Sequence, residues 1–191
     1  GKAEIIAKGK LDSFLSNLKL DTDRLNIVYE GITNFKNFSL VGYDGKIKLK
    51  INNLNNFLSL NSKINLIQEA NFFSDILMKN NKLNIKNIDF QSATYKYNGD
   101  VYINYLKNDK ISFDVDLFAN ITSINSIKNI YNYFILNPNS LIKGQFKLKA
   151  ELFNINKLNI YNLYSLINFD EKEVYLKNFE GDLLDGRVSV E

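Results

Sequence analysis

Asp114 and Asp116 stand two residues apart in the run Ile111-Ser-Phe-Asp-Val-Asp-Leu117. On a β-strand that spacing puts both carboxylates on one face. Two carboxylates flanking a cleft are the equipment of a glycosidase, but a wet strand face accounts for the same pair as ordinary solvation. Asp21-Thr22-Asp23 offers oxygens to a hard cation such as calcium. The central glycine and distal glutamate of an EF-hand loop are missing, however, and the segment reads as a solvated loop. Glu171-Lys172-Glu173 reads as a charged hairpin tip, and Asn37-Phe38-Ser39 and Asn120-Ile121-Thr122 fit the glycosylation sequon. Two tyrosine sets, Tyr95, Tyr97, Tyr102 and Tyr105, then Tyr131, Tyr133, Tyr161 and Tyr164, could stack on sugars or bases; β-propensity explains them more simply.

What is missing narrows the chemistry further. The chain has no histidine and no cysteine. Disulfides, thiolate nucleophiles and imidazole acid–base catalysis are therefore excluded, and a zinc site, which leans on those two residues, is not expected. The glycines are isolated, so none forms a phosphate-cradling loop. No catalytic motif emerges, and the expectation is a non-enzyme without a cofactor or metal.

The 191 residues are 45% hydrophobic and 13% aromatic, enough for a buried core. Net charge is +3, and the lysines are spread along the chain. A nucleic-acid partner is not expected, because such domains concentrate their positive charge in a stripe. Thirty residues are asparagine, and Arg24 and Arg187 are the only arginines. That bias points to an AT-rich genome. No apolar run is long enough to span a membrane as a helix. The start at Gly1-Lys2-Ala3-Glu4 and the finish within Arg187-Val-Ser-Val-Glu191 suggest a piece of a longer protein, with any anchor outside it.

The elements that must position these residues are read from alternation. Lys46-Ile-Lys-Leu-Lys-Ile51, Ile111–Leu117 and Phe146-Lys-Leu-Lys-Ala-Glu-Leu152 each put apolar residues on one face and charged ones on the other. Further strands are predicted at Ala3–Lys10, Leu25–Glu30, Phe35–Val41, Lys82–Phe90, Thr94–Tyr97, Asp100–Leu106, Ser165–Phe169, Val174–Phe179 and Asp182–Leu184. Turns are predicted at Asp44-Gly45, Asn98-Gly99, Asn108-Asp109, Asp170-Glu171 and Asp185-Gly186. Helical spacing predicts helices over Ser13–Leu20, Asn53–Leu60, Leu66–Met78 and Ser123–Ile135. The last is capped by Ser123 and stopped by Pro138. The expected fold is mainly β with a few helices: about twelve short strands in antiparallel meander units that form a curved sheet or open groove. No linker separates domains, so 1–191 is expected to be one continuous region.

One phrase recurs. Lys36-Asn37-Phe38, five residues, then Asp44-Gly45-Lys46-Ile47-Lys48-Leu49 matches Lys177-Asn178-Phe179, five residues, then Asp185-Gly186-Arg187-Val188-Ser189-Val190. A looser copy runs from Lys86-Asn87-Ile88 to Asn98-Gly99-Asp100-Val101-Tyr102-Ile103. The pattern suggests repeated strand–turn–strand units.

The stretch Val174–Val190 resembles a recurring line of the AsmA-like and TamB-like envelope proteins. The rhythm of Leu83–Phe90, Asn98-Gly99, Val101–Asn104, Ile111–Ala119 and Gly144–Leu152 is similar to theirs too. The resemblance covers 83–191 closely and 1–60 more loosely. It implies a piece of a periplasmic β-rich body in a Gram-negative bacterium, anchored in the inner membrane through segments outside this chain. It also implies an apolar groove that carries phospholipid toward the outer membrane or supports outer-membrane assembly. Phospholipid acyl chains are then the expected partners, with envelope proteins as further ones. Each CH₂ moved from water into such a groove gains about 0.8 kcal/mol. The inward set would be Ile47, Leu49, Ile51, Val101, Ile103, Ile111, Phe113, Val115, Leu117, Phe146 and Leu148. The same alternation is compatible with a closed core. A structural or protein-interaction module of the envelope is the second reading, and a carbohydrate-binding or carbohydrate-degrading domain that uses the tyrosines is the third.

Overall fold

The computed structural model describes residues 1–10, 12–36, 39–52, 69–105, 110–123, 142–171, 173–184 and 186–190. These form two compact units, Gly1–Thr94 and Tyr95–Glu191. Among the described residues all regular structure is strand, and there is no helix.

Unit 1 contains β1 (Lys2–Lys10), β2 (Ser13–Asp21), β3 (Leu25–Lys36), β4 (Ser39–Ile51), β5 (Ala70–Lys79) and β6 (Lys82–Ser92), each antiparallel to the next. Charge helps to pin the register. Glu30 lies opposite Lys46, Lys46 opposite Asp75, and Asp75 opposite Lys86. Each opposite-charge pair contributes about 0.2–1 kcal/mol, and a one-residue slip would lose the whole row.

Unit 2 contains β7 (Lys96–Tyr105), β8 (Ile111–Ser123), β9 (Ile142–Ile155), β10 (Leu158–Glu171), β11 (Glu173–Leu183) and β12 (Gly186–Val190). Neighbours are antiparallel except β8 and β9, which run parallel. Parallel neighbours cannot be joined by a tight hairpin. Among the described residues, ten buried apolar side chains form the core of this unit, with Phe153 and Leu163 the largest that are fully buried. Phe153 meets Phe179 edge-on, with ring centroids 6.3 Å apart.

Several sequence expectations are corrected. Ser13–Leu20 is strand β2: paired with β1 and β3, its alternation of Phe14, Ser16, Leu18 and Leu20 outweighs a helical reading of the same leucines. In the predicted helix Leu66–Met78, residues Ala70–Met78 belong to β5, where Ala70, Phe72, Ser74, Ile76 and Met78 share a face. The predicted helices Asn53–Leu60 and Ser123–Ile135 lie outside the described residues, apart from Ser123, which ends β8. Asp44-Gly45 is not a turn but sits inside β4, where Gly45 pairs with Gly31 under the ring of Tyr29. A Cβ on Gly45 would stand 2.9 Å from that ring. Asn98-Gly99 likewise sits inside β7; φ at Gly99 is +152°, and a Cβ there would collide with the Asp116 carbonyl oxygen. Both glycines serve close approach instead of chain reversal.

The recurring phrase therefore does not mark equivalent structure. Asp44-Gly45 is mid-strand, whereas Leu183 pairs with Gly186 across a hairpin. Lys36 ends β3, whereas Lys177 lies inside β11. The tight turn at Asn80-Asn81 has both residues at positive φ, 52° and 61°, as a type I′ hairpin requires. Asp170 is still paired, with Glu173, so β10 reverses one residue later than the predicted Asp170-Glu171 turn, beginning at Glu171 with φ 54°. Asn108-Asp109 lies outside the described residues.

Two bulges share one device. In β6, Asn87 adopts φ 53° beside a register shift against β5, and its amide donates to the Asp75 carboxylate at 2.6 Å. In β10, Asn162 adopts φ 51° beside a shift against β11 and donates to Asp182 at 2.9 Å. Each bulge inserts a residue and reverses the parity of the strand beyond it. Left-handed backbone costs an ordinary residue about 1–2 kcal/mol, and a lost hydrogen bond about 1 kcal/mol more. Asn87→Ala should therefore lower the unfolding free energy by about 2–3 kcal/mol in urea melts, and Asn87→Gly should recover the backbone share of that loss.

Candidate functional site

Alternation gives each unit one apolar face. In unit 1 the pairing aligns Ile27, Leu49, Phe72 and Phe90 in one row across β3–β6, with Leu25, Ile51, Ala70 and Ser92 in the row beside it. Tyr29, Ile47 and Ser74 form a third row. The Asn87 bulge is what keeps Phe90 on this face: without it, Asp89 would take that place. Ile51, Ala70 and Ser74 are buried, whereas Ile27, Ile47, Leu49, Phe72 and Phe90 are only half-buried. A Tyr29–Tyr43 edge-to-face contact at 6.4 Å borders the face.

Unit 2 treats its apolar face differently. The pairing β7–β8–β9 brings Val101 against Val115 and Val115 against Phe146, and Ile103 against Phe113. Leu117 stands beside Leu148. Phe113 covers Gly144 and meets Phe169 at 5.1 Å between ring centroids. Phe113, Val115, Phe146 and Leu148 are 6%, 7%, 6% and 3% exposed. Side chains this hidden pack against other protein side chains.

The eleven residues of the inward set thus divide. Val101, Ile103, Phe113, Val115, Leu117, Phe146 and Leu148 come together in or against the core cluster of unit 2, with half-buried Ile111 in register with Ile142. Ile47, Leu49 and Ile51 lie in unit 1, where Ile51 is buried at 4% and the other two remain half-open. Sequence reasoning missed Ile27, Phe72 and Phe90 as members of that face. Phe72 falls in the mistaken helix, and Phe90 changes parity at the Asn87 bulge. The signal available for the bulge was Asn87 itself, since asparagine tolerates the left-handed region.

The polar candidates do not converge on a reaction centre. Asp114 and Asp116 both lie exposed on the outer face of unit 2. Asp116 accepts from the Lys147 ammonium, which holds that lysine's pKa above its ordinary value. Asp114 lies opposite Tyr102. Partial desolvation, and then the nearby Asp100 carboxylate, push the Tyr102 phenol up. Glu180 is held below the usual carboxylate range by Asn178, which donates at 3.1 Å, and by Arg187 at 2.5 Å. Among the described residues, no group of three or more acidic side chains is placed to hold a metal ion. The first tyrosine set is split by alternation. Tyr97 turns to the core side and donates to Thr122 at 3.4 Å, whereas Tyr102 turns to the other face and donates to Asp100. Tyr131 and Tyr133 lie outside the described residues.

No family model, curated protein or solved structure matches this chain.

Burial separates the two faces experimentally. Phe113→Asp places a charge in packed core and should cost unit 2 more than about 3 kcal/mol. Amide exchange is expected to show protection lost across β8–β10 and kept in β3–β5; retained protection in β8–β10 would contradict a packed role for Phe113.

Proposed function

We propose that this chain is a non-enzymatic lipid-binding segment of a β-rich envelope protein, and that phospholipid acyl chains lie on the half-buried apolar face of unit 1. One observation carries the reading. Five large apolar side chains, Ile27, Ile47, Leu49, Phe72 and Phe90, share a sheet face that the described residues leave half-open. A sheet must cover its apolar face with something, and hydrocarbon needs no directional partner. At about 25 cal/mol per Å² of apolar area removed from water, a partly covered face of this kind can hold an acyl chain usefully. The resemblance to AsmA-like and TamB-like proteins supports the same reading. It adds a periplasmic location, an inner-membrane anchor outside this chain, and a role in supplying lipid to the outer membrane.

A second reading, a strand-pairing interaction module, is favoured by β1. All nine of its residues are exposed, Ile5 at 73%, and among the described residues its outer edge has no strand partner. An open edge of this kind can accept a strand from another protein.

Native mass spectrometry of the purified chain distinguishes the two. The lipid reading expects adducts of phospholipid mass that solvent extraction removes. Leu49→Asp, at a half-buried position, should abolish the adducts while the melting transition of unit 2 is unchanged. A clean apo mass, together with capture of an envelope protein that is lost when β1 carries a proline at Ile6, would favour the second reading instead.

A further inference from the structure

The outer face of unit 1 is polar apart from a few apolar side chains, and one of these, Phe73, sits in a built setting. Lys48 lies opposite it on β4 and Asp89 on β6, with Val28 beyond Lys48. The adjoining row is Asn26, Lys50, Asn71 and Gln91. Together with Leu49 and Phe72, these two rows line a concavity of about 360 Å³, within the size range of ligand pockets.

Two features fix the polar groups around the ring. The Asn87 bulge reverses the parity of β6, so Asp89 and Gln91, and not Ile88 and Phe90, share the face with Phe73. Bulges often re-aim side chains in this way beside binding sites. The Gln91 amide then donates to both Asp89 oxygens, at 3.0 and 3.1 Å, and locks the two side chains into one polar edge. Charge balances at the rim: Lys50 pairs with Glu69 at 3.4 Å, and Lys48 stands across Phe73 from Asp89.

The ligand class follows from this mixture. A sugar ring has a C–H face that stacks on an aromatic ring and hydroxyls that both donate and accept. Amides, a carboxylate and an ammonium around a half-buried phenyl ring supply both kinds of partner. A phosphate would want donors alone and would meet the Asp89 carboxylate, while an acyl chain would leave the polar rim desolvated. We propose that this concavity binds a neutral saccharide, with Phe73 as the stacking platform and Asp89, Gln91 and Asn71 on its hydroxyls. Phe72 and Phe73 point to opposite faces of β5, so the stacking ring lies off the apolar face, although Leu49 and Phe72 of that face also border the concavity.

The test is titration of the ¹⁵N-labelled chain with chitohexaose and with maltohexaose, two neutral oligosaccharides. The expected result is saturable shifts of the Asn71 and Gln91 side-chain amides with at least one of them. Phe73→Ala should weaken that binding roughly tenfold, and Leu77→Ala, on the same face outside the concavity, should leave it unchanged. Gln91→Ala serves as the second variant should Phe73→Ala melt early, with the same weakening expected. The proposal is overturned if neither sugar moves these signals, if both variants bind as the parent chain does, or if sodium phosphate produces the same shifts and displaces the sugar.

Discussion

A β-strand has two faces and a period of two, and the rest of this structure depends on that constraint. Hydrogen bonding between neighbours satisfies the backbone, so register alone decides which side chains are hidden. A slip of one residue would turn every apolar row outward. The chain guards against this in two ways. Opposite charges face each other along Glu30, Lys46, Asp75 and Lys86. Where the sequence falls out of phase, an asparagine bulge restores it: Asn87 returns Phe90 to the apolar face, and Asn162 returns Leu163 and Ser165 to the core.

The same rule leads to different outcomes in the two units. Unit 2 gathers Phe113, Val115, Phe146, Leu148, Phe153 and Leu163 into a core closed to water. Among the described residues, the apolar face of unit 1 has Ile51 and Ala70 as its buried hydrophobic cluster, and its larger side chains stay half-open. A face that burial has not finished is where a hydrocarbon ligand gains most, because contact area remains to be won there. The packed face of unit 2 supplies rigidity and offers no such area. The half-open face of unit 1 is therefore where the proposed lipid contact would lie, and the packed core belongs to unit 2.

Much of this was legible in the sequence. Strands β4, β8 and β9 were readable from Ile47, Leu49 and Ile51, from Phe113, Val115 and Leu117, and from Phe146 and Leu148, because strict alternation has no competing reading. The errors have physical causes. Ser13–Leu20 and Ala70–Met78 contain leucines and phenylalanines that fit a helical stripe as well as a strand face, and only pairing with neighbours decides between them. Asp44-Gly45 and Asn98-Gly99 looked like turns because glycine marks turns, but glycine also marks close approach, which a one-dimensional pattern cannot distinguish. The true turn at Asn80-Asn81 lacks glycine. Which members of the inward set were core and which remained half-open was not readable, since alternation records a face and not what covers it.

The central claim is that hydrocarbon lies on the apolar face of unit 1. It is tested most directly by photo-crosslinking with a phosphatidylcholine that carries a diazirine in its acyl chain, followed by peptide mapping. The account predicts crosslinks on β3–β5, centred on Ile27, Leu49 and Phe72, and none on Phe113 or Leu148. Crosslinks concentrated on β8 and β9, or none above those formed with an acid-unfolded control, would contradict it.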